Sequence, residues 1–186
     1  MRVIGGKYKG KKIDLPVDKN TRPLKDLVKE SIFNIFNHSN KFHVDLAESN
    51  IIDIFSGTGS FGIECFSRGA KKVIFFENYS RAIKILKNNL FKICSEDNFE
   101  IIESNCFEYF KNYKIINSKN NLIFLDPPFQ EKNINNLIYN IKKKKILSDN
   151  GLIVIHRHKH DKMDVTENLN IIDTRYYGLS KIIFAN

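Results

Sequence analysis

The stretch from Asn50 to Glu77 constrains the fold more than any other. Residues 51–55 are apolar except for Asp53 and have the length of a buried strand. They run into a turn holding Gly57 and Gly59, then into a helical pattern over 61–68 that Gly69 closes. A second apolar run, 73–76, ends on Glu77. This order predicts a βαβ unit with a glycine-rich first turn and an acid at the end of its second strand. Glycines at 57 and 59 can take backbone angles closed to other residues, and they have no Cβ to block a ligand. A carboxylate about 20 residues further on can accept both hydroxyls of a ribose. The unit therefore predicts a nucleoside cofactor.

A second motif narrows the chemistry. Residues 121–125 form another apolar strand, which ends in Asp126-Pro127-Pro128-Phe129. Two consecutive prolines neither continue a ladder nor enter a helix interior, so they hold the chain stiff past the strand end. An acid and an aromatic ring flanking such a turn suit a flat, amino-bearing ring. A glycine turn, Glu77 and Asp-Pro-Pro-Phe, in that order, resemble the S-adenosylmethionine-dependent amino-methyltransferases.

The rest of the chain alternates helical and strand patterns. Helices are predicted over 24–37, 80–94, 106–113 and 133–145, and strands over 99–102 and 151–155. A closing hairpin joins 171–176 to 181–185. On the first helix, Leu27, Val28, Ser31, Ile32, Ile35 and Phe36 are expected to face the core. Alternation of this kind implies a parallel, doubly wound sheet with ligands at the carboxyl ends of its strands. The Gly57 turn, Glu77, Asn105 and Asp126 all lie just past strand ends, so one cleft should collect them.

Charge points to a polyanion. The net charge is +9. Residues 1–29 hold nine Lys/Arg against three acids, leaving +6 in under a sixth of the chain. Residues 2–15 read as a short hairpin in which Lys7, Tyr8, Lys9, Lys11 and Lys12 mix cations with one aromatic. Arg22 and Lys25 stand at a helix start, where the macrodipole favours anions, and so suggest an external anion. No apolar run is long enough to span a membrane, and the N-terminus lacks a hydrophobic signal core. A cytoplasmic location is expected, with Cys65, Cys94 and Cys106 as reduced thiols in or near the core. His156, His158 and His160 alternate without accompanying metal ligands, so the segment is expected to be solvated or RNA-facing and no metal site is assigned.

From residue 2 to about 130 the chain resembles the RsmD family, the 16S rRNA guanine-N2 methyltransferases. The residues that carry this are Arg2-Val-Ile-Gly-Gly-Lys-Tyr-Lys-Gly-Lys-Lys-Ile, Arg22-Pro23 with Asp26-Leu-Val-Lys-Glu-Ser-Ile-Phe-Asn, and Asp53-Ile-Phe-Ser-Gly-Thr-Gly-Ser-Phe-Gly-Ile-Glu. Ser67-Arg-Gly-Ala, Glu77 and Asp126-Pro-Pro-Phe complete the match. The resemblance implies a class I methyltransferase fold, Rossmann-like, with a mostly parallel seven-stranded sheet. It implies one methyltransferase domain over 1–186, with 1–20 as a basic N-terminal hairpin. The implied reaction carries a methyl group from S-adenosylmethionine to a guanine N2 in 16S rRNA, free or in a small-subunit assembly particle, by a monomeric enzyme. Implied catalytic residues are Asp126, Pro127, Pro128 and Phe129. Implied cofactor contacts are Asp53, Ser56, Gly57, Gly59, Glu77, Asn78, Asn105 and Cys106. Implied RNA contacts are Arg2, Lys7, Tyr8, Lys9, Lys11, Lys12, Arg22 and Lys25. Asn105 stands where the family often has Asp, and its carbonyl can still accept from an adenine amino group.

Three other readings compete. A DNA adenine-N6 methyltransferase would share Asp-Pro-Pro-Phe. A non-catalytic rRNA-binding or assembly protein would keep the basic hairpin. A dehydrogenase would use the Gly57–Glu77 unit but leave Asp-Pro-Pro-Phe without a role.

Overall fold

The computed structural model describes residues 1–16, 24–94, 98–112, 119–162 and 164–186. In chain order the elements are α1 (Asp26–His38), β1 (Asn50–Ile54), α2 (Ser60–Ser67), β2 (Lys72–Phe76), α3 (Ser80–Ile93) and β3 (Phe99–Ile102). They continue with α4 (Cys106–Asn112), β4 (Asn120–Leu125), α5 (Ile134–Lys143), β5 (Leu147–His158), β6 (Ile171–Tyr177) and β7 (Ser180–Ala185). The strands form one seven-stranded sheet in the order β3-β2-β1-β4-β5-β7-β6. The first five are parallel, and β7 runs antiparallel to both β5 and β6. β1 lies between β2 and β4, so the sheet grows one way from β1 and then the other. The crevice at that reversal, beyond the carboxyl ends of β1 and β4, is where such sheets bind ligands.

Alternate residues of the strands feed two cores. Ile51, Val73, Phe75, Phe124, Val154 and Phe184 pack under α1, α2 and α3. Ile52, Ile74, Phe76, Leu125, Ile155 and Ile183 pack against α4 and α5 on the other face. With both faces covered, the strands read as nearly continuous apolar runs. Gly62 sets how closely α2 approaches β2, since a Cβ there would stand 2.3 Å from the Phe75 ring.

Two expectations change. α1 buries Val28, Lys29, Ile32, Phe33 and Phe36, while Leu27 is 68% exposed. The buried stripe is thus rotated from the one expected. Lys29 occupies a core position because it meets Glu64 at 3.5 Å, both side chains fully buried. A lysine in the stripe disguised the true face.

The N-terminal segment is a hairpin held by a single antiparallel bridge, Arg2 to Lys12, rather than by two regular strands. Its amides turn instead to α2. Those of Ile4 and Gly5 donate to the Glu64 carboxylate at 2.7 and 2.8 Å. Those of Lys7 and Tyr8 donate to the Ser67 carbonyl and hydroxyl at 2.7 and 2.9 Å. Val3 and Ile13 are fully buried beneath it. Lys29 donates to the Arg2 carbonyl at 2.9 Å and to the Ser60 hydroxyl at 3.1 Å. Burial pushes the Lys29 pKa down, and Glu64 pulls it back up. A buried acid therefore docks a segment that has little apolar surface of its own.

Candidate active site

The crevice encloses about 590 Å³, within the roughly 300–1,000 Å³ of small-molecule sites. Asp53, Ser56, Gly57, Glu77, Asn78, Asp126, Pro127, Pro128 and Phe129 line it, so most of the predicted residues meet there. A side lobe of about 180 Å³ is lined by Asn105, Cys106 and Phe107. It shares Phe55, Glu77, Asn78 and Pro128 with the main cavity.

The glycine turn is shaped by positive φ angles, 55° at Gly57 and 84° at Gly59. Phe55 also takes φ 63°, an uncommon angle for a bulky side chain. Phe55 lines both lobes, and its ring centroid lies 5.9 Å from that of Phe107. Gly57 donates its N–H to Glu77 Oε2 at 2.8 Å. The amides of Asn78 and Tyr79 donate to Glu77 Oε1, each at 2.9 Å. Glu77 thus fastens the turn after β1 to the start of α3. Ser56 ties the same turn to β2, donating its amide and hydroxyl to the Phe76 carbonyl at 3.0 and 3.2 Å. Gly59 lies outside the cavity lining, and a Cβ there would stand 2.5 Å from Leu86. It shapes the turn.

Asp53 lies on the floor, 1% exposed, and accepts the Gly62 N–H at 3.0 Å. Burial pushes its pKa up to about 8, with the Gly62 bond opposing and the nearby Asp126 and Glu77 charges adding. In the side lobe, Asn105 Oδ1 accepts the amides of Phe107 at 2.9 Å and Glu108 at 3.4 Å. The same carbonyl caps α4, a use that the sequence reading does not assign. An acid at this position would cap the helix equally well. Burial pushes the Cys106 thiol up to about 12, so it is a neutral wall. Cys65 and Cys94 are likewise buried free thiols.

The opposite wall is the Asp126-Pro-Pro-Phe loop. Asp126 Oδ1 lies 2.8 Å from His156 Nδ1. His156 Nε2 lies 2.8 Å from the Ser180 hydroxyl. The Arg157 guanidinium donates to three loop carbonyls: Pro128 at 3.1 Å, Phe129 at 3.0 Å and Glu131 at 3.0 Å. Its Nε pairs with Asp161. His156 and Arg157 are only 2% and 3% exposed, which overturns the solvated or RNA-facing reading of this part of the histidine segment. The cause is β5, which runs to His158 and brings both residues beside the end of β4. Among the described residues, no group of three or more His, Cys, Asp or Glu side chains is arranged to hold a metal. The sequence signal for this brace is the direct run of an apolar strand into His-Arg-His, which places polar groups at strand ends.

Of the predicted RNA contacts, Arg2, Lys7, Lys9, Lys11, Lys12 and Lys25 are exposed and Tyr8 is half-buried. Arg22 lies outside the described residues. Lys7 and Lys11 sit over the Tyr8 ring at 5.4 and 5.0 Å. α1 begins on Asp26, so its first turn carries the acid that the macrodipole favours.

The sheet order, its antiparallel closing pair and a crevice between a glycine turn with its acid and an Asp-Pro-Pro-Phe loop define a class I S-adenosylmethionine-dependent methyltransferase. The family model described as "Conserved hypothetical protein 95" matches residues 1–186. The chain belongs to this family, the RsmD family. It is 33% identical over 157 residues to ribosomal RNA small subunit methyltransferase D of Buchnera aphidicola subsp. Baizongia pistaciae, covering 84% of this chain and 76% of that one. It is 30% identical to the Haemophilus influenzae protein of the same name, over 96% of this chain and 90% of that one. A solved structure of the putative methyltransferase yhhF from Escherichia coli superposes with a TM-score of 0.80. The identity is 26%, with 100% of this chain and 96% of that one covered. No helix among the described residues is long and apolar enough to cross a membrane.

Proposed function

We propose that this protein transfers a methyl group from S-adenosylmethionine to the exocyclic N2 of a guanine in 16S rRNA, free or within a small-subunit assembly particle. The observation that carries the reading is the crevice itself, with a cofactor-type wall at Gly57 and Glu77 facing an acid-proline-proline-aromatic loop. The relatives' rRNA methyltransferase names support the substrate class.

The residues present fit the cofactor. Asp53, Ser56, Gly57, Glu77 and Asn78 would hold its ribose and amino-acid portions, while Phe55, Asn105, Cys106 and Phe107 offer a narrow, largely apolar lobe for a purine. Gly59 would act through the shape of the turn. When bound, S-adenosylmethionine supplies an electrophilic methyl carbon on a sulfonium. An exocyclic guanine amine is a poor nucleophile because its lone pair is delocalised into the ring. Asp126 and the Pro127 carbonyl accept its two N–H bonds and draw the nitrogen toward a pyramidal geometry. Asp126 is then placed to receive the amine proton. Arg157 holds the carbonyls of Pro128, Phe129 and Glu131 and so steadies the loop that carries the Pro127 carbonyl. Pro127 and Pro128 keep the loop stiff, and Phe129 stacks on the base. Orientation of this kind can contribute about 7–11 kcal/mol over free encounter. Arg2, Lys7, Tyr8, Lys9, Lys11, Lys12, Arg22 and Lys25 contact the RNA. The chain acts as one methyltransferase domain with a basic N-terminal hairpin around the Arg2–Lys12 bridge, as a cytoplasmic monomer; residues 17–20 of the expected hairpin lie outside the described residues.

The test is to incubate 16S rRNA with methyl-labelled S-adenosylmethionine and map the label. Label on a guanine N2, abolished by Asp126→Ala, is the expected result. Label on an adenine, or full transfer by Asp126→Ala, overturns the reading.

A further inference from the structure

We infer that His156 is a positioning residue that sets the orientation of the Asp126 carboxylate at the crevice. The inference rests on the reading of Asp126 as the acceptor of the substrate amine. His156 is held at both ring nitrogens, by Asp126 Oδ1 and by the Ser180 hydroxyl, each at 2.8 Å. Asp126 follows β4, His156 lies in β5 and Ser180 opens β7, so the line crosses three neighbouring strands of the sheet. His156 is 2% exposed and Ser180 is 7% exposed.

The tautomer follows from the partners. An ionised carboxylate only accepts hydrogen bonds, so Nδ1 carries the proton. Nε2 then accepts from the Ser180 hydroxyl, or donates to it when the ring is charged. Rotation of Asp126 about its side-chain bonds would break the first contact, and rotation of the imidazole would break both. His156 thereby converts a carboxylate at a loop start into one fixed by the sheet. Successive strand residues point to opposite faces. His156 and Arg157 therefore grip the loop from the two sides of β5, the first at its acid and the second at its backbone.

The test compares His156→Ala, which removes the donor, with His156→Asn, whose amide N–H stands near the position of Nδ1. We expect His156→Ala to lower kcat by roughly 10²-fold, with the KM for RNA and the affinity for S-adenosylmethionine within a few fold. His156→Asn should recover most of that loss. A second readout needs no turnover. In histidine-¹⁵N-labelled protein without substrate, the His156 resonances should report a protonated Nδ1, and Asp126→Ala should remove that preference. Unchanged kcat in His156→Ala overturns the inference, as does an unprotonated Nδ1 in the wild type. If Asp126→Ala itself keeps its turnover, the failure lies in the proposed function. If only the His156 variants keep theirs, it lies here. Should His156→Ala fold poorly, the Asn variant and the tautomer measurement still decide.

Discussion

The two walls of the crevice are built differently. The cofactor wall is local: Glu77 reaches back 20 residues to Gly57 and forward to its two following amides. The catalytic wall is not local. The Asp126 loop is braced by residues about 30 positions downstream, His156 for the carboxylate and Arg157 for the backbone. A motif can hold a phosphate- or ribose-type turn because strand, turn and helix follow one another directly. A loop that presents an acid to a substrate needs a partner from the neighbouring strand, and chain order says little about which residue that is.

The largest expected effect strikes the catalytic wall alone. Arg157→Ala removes the guanidinium's hydrogen bonds to the Pro128, Phe129 and Glu131 carbonyls and its ion pair with Asp161. Arg157 is buried and Asp161 is partly exposed, so the loss stays below the roughly 3–5 kcal/mol of a fully buried pair. The melting temperature should fall clearly and methyl transfer to rRNA should be abolished. Calorimetry below the melting transition should still find S-adenosylmethionine binding within a few fold of the wild type. Failure of cofactor binding in the folded variant would mean that the walls are one unit.

The converse variant is Glu77→Ala. It should weaken S-adenosylmethionine binding by about 1–3 kcal/mol, because its charged hydrogen bonds are removed. Its kcat at saturating cofactor should change much less than its affinity. Glu77→Gln should fall between, since an amide keeps one acceptor oxygen for the turn. A Glu77→Ala enzyme with wild-type cofactor affinity would leave Gly57 and Ser56 as the holders of that wall.

Asp53 lies beneath both walls, on the strand between β2 and β4. Its pKa is raised to about 8 by burial. The folded state therefore holds a proton that the unfolded chain releases near the ordinary value of 3.8. The resulting stability is fully present below that value and is lost as pH rises toward 8, by up to about 1.4 kcal/mol per unit. Asp53→Asn has no proton to lose and can still accept from Gly62. Denaturation at pH 5 and at pH 8 should show the variant gaining on the wild type at the higher pH. A constant difference across that range would mean that Asp53 is ionised in the fold.

These contrasts explain what was legible. Ile51-Ile-Asp-Ile-Phe, the glycine turn and Glu77 announced β1, α2 and β2 because each follows from a periodicity or a turn residue within one short window. The mostly parallel sheet followed from strand–helix alternation. The Lys29–Glu64 pair was illegible, since its 35-residue separation carries no periodic signature and a buried lysine contradicts the hydrophobic rule. His156 was hidden for a related reason. The His-Arg-His-Lys-His run looks like a charged surface unless β5 is known to extend through it. Asn105 was visible as a strand-end polar residue, but its use as a helix cap depends on α4 starting at the next position.

The smallest expected effect belongs to a variant that touches neither wall. The hairpin docks through backbone amides of Ile4, Gly5, Lys7 and Tyr8, so its lysine side chains are not what holds it. Changing Lys7, Lys9, Lys11 and Lys12 to Gln should leave the melting temperature nearly unchanged. The tip meets Ser67 at the far end of α2, about 10 Å of helix from the Ser60 end that lines the crevice. Side chains there would bind RNA away from the target base. Both kcat at saturating RNA and S-adenosylmethionine affinity should therefore stay within a few fold. Only RNA affinity should change, and with it the salt dependence. Removing one lysine–phosphate pairing should flatten the log–log slope of affinity against salt by roughly 0.7–0.9. A salt titration of RNA binding beside cofactor calorimetry on the same variant reads both quantities. An unchanged slope would make these lysines solvated surface and move the RNA face toward Lys25, His158 and His160. A fall in cofactor affinity would instead show that the hairpin reaches the cofactor wall through Lys29 and Ser60.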